Sequence, residues 1–183
     1  MGNRTLKTVL LVLTPLLVLL CGTTFALMLR QTAPLDNQFE AAVVNCTVVE
    51  SFNGTQKTSI AVKNNAPTDQ PPSNIPAYLR VRLVSYWVDG DGNIVSKPSE
   101  MPDISVANGW IKGADNTFYY PDPVDPGAST PNLLGAAIGL EQDPDGYRQV
   151  IEVFADAIQS KPAEAVTGSW GVSLSNSKIS AVP

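Results

Sequence analysis

Ala77-Tyr78-Leu79-Arg80-Val81-Arg82-Leu83-Val84-Ser85-Tyr86-Trp87-Val88 is the stretch that decides the fold. Leu79, Val81 and Leu83 alternate with Arg80 and Arg82, and a period of two puts the apolar side chains on one face of a strand. The phase then changes, because Val84, Tyr86 and Val88 are apolar on the opposite face. A bulge near Ser85, or cover on both faces, accounts for the change. Asp89-Gly90-Asp91-Gly92-Asn93 follows, and Ile94-Val95 resume an extended run. Asp-Gly between two β-rich runs is a strong hairpin signal.

Similar short runs lie on either side. Phe39 to Phe52 places Ala42, Val44, Cys46 and Val48 on one face, and Ser59 to Lys63 forms a second run. Asn64-Asn65-Ala66-Pro67 closes it, and a Pro-rich loop continues to Ser73. Trp110 to Tyr120 reads as a strand pair turning at Gly113 to Asn116. Leu133 to Leu140 is apolar but rich in Gly and Ala, and reads as a short strand. Tyr147 to Gln159 fits both a helical stripe and one face of a strand, with periodicity alone favouring the helix slightly. Lys161 to Ser169 reads as a short helix with Pro162 in its first turn and Gly168 near its end. The chain has 15 Pro and 13 Gly, and the turns they make divide it into short strands. That spacing predicts an all-β antiparallel sandwich with one or two short helices, not a βαβ alternation.

The N-terminus follows another rule. Arg4 and Lys7 precede an apolar stretch from Val9 to Leu20, and Cys21-Gly22-Thr23-Thr24-Phe25-Ala26 closes it. A basic head, an apolar middle and a small-residue end make a signal peptide, with cleavage expected after Ala26. The competing expectation is an uncleaved anchor through residues 7–29, because a membrane-spanning helix needs about 20 apolar residues. Lipidation at Cys21 is disfavoured by the bulk of Leu20 before it. The expected divisions are 1–26 as signal peptide or anchor, 27–38 as lead-in, and 39–183 as one domain.

Composition excludes several functions. The net charge is −5 across 183 residues, and losing Arg4 and Lys7 by cleavage makes it more negative, so nucleic acid is a poor partner. Only Cys46 remains after cleavage, which rules out a disulfide within one mature chain. The absence of His excludes a His-ligated zinc, an HExxH helix, and Ser–His or Cys–His nucleophiles. No motif singles out a carboxylate pair or a Ser–Lys pair. The expectation is a non-enzymatic protein without a cofactor.

Taken in order, several motifs resemble the TasA and camelysin group of exported Gram-positive proteins. They are Thr24-Phe25-Ala26, Asn37-Gln38-Phe39, Asn64-Asn65, Ile75-Pro76-Ala77-Tyr78-Leu79-Arg80-Val81, Trp87 through Ile94, and Gly109-Trp110. Tyr119-Tyr120, Pro123-Val124-Asp125-Pro126-Gly127, Ser129-Thr130, Ala155-Asp156-Ala157-Ile158-Gln159 and Ser169-Trp170-Gly171 complete the series. Departures are the long Pro-rich loop from Thr68 to Ser73, Pro34, and Leu27-Met28 where an aromatic residue is common. The resemblance implies a jelly-roll sandwich, processing by a SipW-type signal peptidase, and assembly outside the cell into biofilm-matrix or pilus-like fibres with copies of itself or related matrix subunits. It also implies a donor segment, matched here by Leu27, Met28, Leu29 and Leu35, and a strand for Tyr147 to Gln159. The alternative expectation is a membrane-tethered binding module at the cell surface.

Three smaller features remain. Asp89, Asp91 and Asn93 are spaced like the start of a calcium loop, with Glu100 at its twelfth position. Ile94 stands where such a loop needs Gly, so a hairpin with solvated acids is the simpler expectation. Trp87, Trp110, Trp170, Tyr119 and Tyr120 are expected in the core or in cross-strand pairs more than in a sugar-stacking surface. Asn45-Cys46-Thr47 and Asn53-Gly54-Thr55 match the glycosylation acceptor pattern.

Overall fold

The structure is a computed structural model that describes residues 2–31, 43–65 and 75–183. The chain forms two compact units, Met1–Phe39 and Glu40–Pro183.

The first unit contains helix α1, Asn3–Gln31, with Pro15 inside it. Its backbone stays helical through Ala26, Leu27, Met28 and Leu29. Leu35 and the loop from Thr68 to Ser73 lie outside the described residues. Among the described residues no helix is long and apolar enough to cross a membrane.

The second unit is mostly β with antiparallel sheets. Its largest sheet is built on β3, Ala77–Val88, and β8, Arg148–Gln159, paired without a register break from Ala77↔Gln159 to Val88↔Arg148. The other edge of β3 carries β6, Thr117–Tyr119, at Arg80 to Arg82, and β4, Ile94–Val95, at Trp87 and Val88. The short strand β5, Ile111–Lys112, adds to β6. Of the run Tyr147 to Gln159, Arg148 to Gln159 is therefore a strand, because twelve cross-strand pairs with β3 override a slight helical preference. There is no bulge at Ser85. Apolar residues on both faces of β3 reflect cover on both faces near its ends, where Tyr78, Trp87 and Val88 are all buried.

The second sheet joins β1, Cys46–Phe52, to β2, Gln56–Asn64, and then to β7, Ile138–Gly139. Leu133 to Leu140 thus supplies two strand residues and an isolated bridge at Leu134. The remaining edge of β2 is closed by the segment after Gly127: Thr130 N–H donates to Val62 O at 2.8 Å, and Leu133 N–H to Ile60 O at 2.8 Å. Ile60 and Val62 from this sheet share one core with Leu79, Val81, Phe118 and Ile151 from the other. Each fully buried side chain of this kind contributes about 1.5–3 kcal/mol.

A smaller cluster forms where α2, Ala163–Trp170, packs with Tyr78, Tyr119, Val172 and Ile179. Gly171 ends α2 at φ 68°, a conformation that glycine adopts without a Cβ penalty. Strands β9, Ser173–Ser175, and β10, Lys178–Ala181, form a final hairpin across Asn176 and Ser177, both at positive φ.

Candidate functional site

The site is the gap between two strand edges, and backbone phase locates it. Along β2, Ile60, Val62 and Asn64 direct their N–H groups to the 128–132 segment. Ser59, Ala61 and Lys63 therefore serve β1, through Ser51, Val49 and Thr47. That leaves the backbone groups of Cys46, Val48 and Glu50 facing away from β2. On β8, Gln149 N–H donates away from β3 to Glu141 O at 2.9 Å. Ile151, Val153, Ala155 and Ala157 share that phase, so their backbone groups also face outward. Among the described residues no strand pairs with either edge.

The two edges face each other. Cys46 Sγ donates to Ala155 O at 3.8 Å, while Val48 and Glu50 share a cavity of about 290 Å³ with Ile151 and Val153. β1 therefore runs antiparallel to β8 across the gap, and their Cα atoms come within 8 Å. Lys57, Tyr86 and Glu152 complete the cavity wall. A second cavity of about 280 Å³ lies further along, between Phe52, Gly54 and Leu140 on one side and Arg148 and Gln149 on the other.

The charged end of the gap is organised around Lys57. Its residue is 6 % exposed, its Nζ lies 2.6 Å from Glu50 Oε2, and the ammonium sits 5.7 Å from the Phe52 ring centre. Glu152 has no cationic partner within salt-bridge distance among the described residues. Burial raises the Tyr86 phenol above its ordinary range, and Glu152 adds to that. Burial likewise raises the Cys46 thiol, helped by the Asp156 carboxylate.

Compared with protein-family models, curated proteins and solved structures, the chain finds no match.

Other sequence-predicted residues fall elsewhere. Asp89 Oδ1 accepts the N–H groups of Asp91 and Asn93 at 3.0 and 2.8 Å, and Oδ2 accepts from Asn93 Nδ2 at 3.1 Å. The Asp89 carboxylate closes its own turn, in the manner of an Asx turn. Glu100 is held through its backbone: its carbonyl accepts from Gln149 Nε2 at 2.8 Å. No group of three acidic or sulfur ligands able to hold a metal occurs among the described residues. Trp87, Trp110, Trp170 and Tyr119 are buried, with Trp110 5.5 Å from Tyr120 and Tyr119 5.9 Å from Trp170, ring to ring. Arg80 pairs with Asp156 at 2.9 Å and lies 4.7 Å from the Trp170 ring centre.

Sequence reasoning missed the Lys57–Glu50 pair and the identity of the open edges. Their signals exist: Lys57 and Glu50 flank the Asn53-Gly54 turn, so a hairpin there brings them together. The open edges have no signature in any one segment, because they depend on which strands end up unpaired.

Proposed function

We propose that this protein is the exported subunit of an extracellular matrix or pilus-like fibre, built by adding a strand of one copy to a sheet edge of the next. What supports the reading is that, among the described residues, no strand pairs with the outer edges of β1 and β8, which face each other across a cavity lined by Val48, Ile151 and Val153 at one side and by Glu50, Lys57 and Glu152 at the other. An exposed edge offers main-chain hydrogen bonds to an incoming strand, and alternate side chains supply selectivity. The order of motifs resembling the TasA and camelysin group, and the jelly-roll sandwich that resemblance implies, point the same way. Under this reading residues 1–26 are removed by a SipW-type signal peptidase, and the segment from Leu27 to Leu35 is the donor.

The test is electron microscopy of the purified chain starting at Leu27. Filaments are expected, and deleting Leu27 to Leu35 should abolish them while the domain still unfolds cooperatively. Unchanged filaments from the deleted chain would end the donor-strand reading. The rival reading, a surface module tethered through residues 7–29, predicts a chain in the membrane fraction that still begins at Met1. Mass spectrometry of the natural N-terminus separates the two.

A further inference from the structure

We propose that Asn53 is a self-modifying position, at which the side-chain amide is lost to attack by the next main-chain nitrogen and a carboxylate takes its place. The site is the tip of the β1–β2 hairpin, and neither open sheet edge takes part in it.

The chain contains two Asn-Gly pairs, Asn53-Gly54 and Asn108-Gly109. Both lie in exposed turns, and the missing Cβ of glycine lets the following nitrogen approach the side-chain amide in each. They differ in how the amide is held. Asn53 Oδ1 accepts three hydrogen bonds, from Gln56 N–H at 2.8 Å, Thr55 N–H at 3.1 Å and the Thr55 hydroxyl at 3.2 Å. Asn53 N–H donates to Gln56 O at 3.1 Å, which fixes the turn around them. The Gly54 N–H has no acceptor among the described residues. A carbonyl oxygen gripped by several donors is the arrangement that stabilises negative charge developing on it. Asn108 shows the opposite. Its Nδ2 donates to Asn132 O at 2.8 Å, so the group that must leave is tied down. No donor reaches its Oδ1 among the described residues. Asn108 also sits at φ 53°, a left-handed conformation that resists rearrangement of the side chain toward Gly109.

The step needs only water. A hydroxide ion removes the Gly54 N–H proton, and the nitrogen attacks Asn53 Cγ, forming an N–C bond that closes an imide ring. The carbonyl electron pair moves to Oδ1, where the Thr55 and Gln56 donors receive it. When the pair returns, the Cγ–Nδ2 bond breaks and ammonia leaves, taking a proton from water and regenerating hydroxide. A second water opens the imide at either carbonyl. The product is an aspartyl residue at position 53, or an isoaspartyl one in which the main chain runs through Cβ. Overall, water is consumed, ammonia is released, and nothing is oxidised or reduced. In the aspartyl product the new carboxylate meets the same donors, and charge-assisted hydrogen bonds are the stronger kind, so the hairpin persists. The added charge adjoins Gly54 and Thr55, which line the second cavity opposite Arg148.

The experiment holds the purified protein in warm, mildly alkaline buffer, folded in one sample and in guanidinium chloride in the other. Conversion is read on proteolytic fragments by a mass gain of about one dalton. In denaturant, positions 53 and 108 should convert at rates within about threefold of each other, since glycine follows both. In the folded protein, position 53 should convert at least about threefold faster than in denaturant and at least about tenfold faster than position 108. Thr55→Val removes the hydroxyl donor and keeps the shape of the side chain. It should slow the folded-state rate at 53 by at least about twofold and leave the rate in denaturant alone. A folded-state rate at 53 equal to or below the rate in denaturant would overturn the inference. So would matching folded-state rates at 53 and 108, or a Thr55→Val protein that converts as fast as the natural one.

Discussion

The thiol of Cys46 on β1 reaches across an open gap to the carbonyl oxygen of Ala155 on β8, 3.8 Å away. The thiolate is the reactive form of cysteine. Burial first, and the Asp156 carboxylate second, raise the Cys46 pKa above the usual thiol value. Near neutral pH the monomeric mature protein should react with iodoacetamide at least about tenfold more slowly than free cysteine. The rate should climb with pH past the range where free cysteine has levelled off. Rapid labelling at neutral pH would contradict this account of the gap.

Lys57 and Glu50 should respond asymmetrically to substitution. Glu50→Gln leaves a nearly buried ammonium without its carboxylate and should destabilise the domain. Because the Glu50 side chain is 39 % exposed, water screens the pair, and the cost should be about 1–2 kcal/mol, below that of breaking a fully buried pair. Lys57→Met replaces the charge by a side chain of similar reach and should lie within about 1 kcal/mol of the natural protein. Urea unfolding midpoints measure both.

Asn64 joins three segments. It is fully buried, and its Nδ2 donates to Ile75 O at 2.9 Å and Val124 O at 2.8 Å. Asn64→Ala leaves both carbonyls without that donor and should cost about 2–4 kcal/mol. The thermal midpoint should fall accordingly. Asn64→Leu should do no better, since the loss is of hydrogen bonds more than volume. A midpoint unchanged by either variant would show that water replaces the amide.

Acid should loosen the β3–β4 hairpin. The N–H and side chain of Asn93 lower the Asp89 pKa. A carboxylate with a depressed folded-state pKa contributes stability that is present above its unfolded value and lost as pH falls through the folded one. Protection of the Asn93 amide against hydrogen exchange, relative to its intrinsic rate at each pH, should therefore fall below about pH 4. In Asp89→Asn that acid-dependent step should vanish. A step of equal size in the variant would assign the transition to another group.

Processing should govern assembly. In the unprocessed chain the backbone of Leu27 to Gln31 belongs to α1, whereas strand addition needs those residues extended. Cleavage after Ala26 leaves too few residues for an isolated helix, which needs about 12–15. A detergent-solubilised chain retaining residues 1–26 should form no filaments. Cleavage in the tube should start their growth.

Segments whose information is local were legible in the sequence. Leu79, Val81 and Leu83 alternate visibly, Asp89-Gly90 announces its turn, and Pro162 marks the start of α2. Tyr147 to Gln159 carried two periodicities, and only its partner β3 selects the strand. The hairpin of β9 and β10 was not anticipated, because Ser173 to Ala181 holds few large apolar residues and turns on Asn176-Ser177 without glycine. The candidate site was the least legible part, since an open edge is defined by the strand that is not beside it.

The ladder between β3 and β8 matters in a setting that equilibrium stability does not capture. Any neighbour held along the outer edge of β8 would transmit tension into a strand bonded over twelve residues to the centre of its sheet. A pull along the strand direction loads those hydrogen bonds together in shear, not one after another as in peeling, and a fibre strung through such joints would resist breaking far better than any single contact within it.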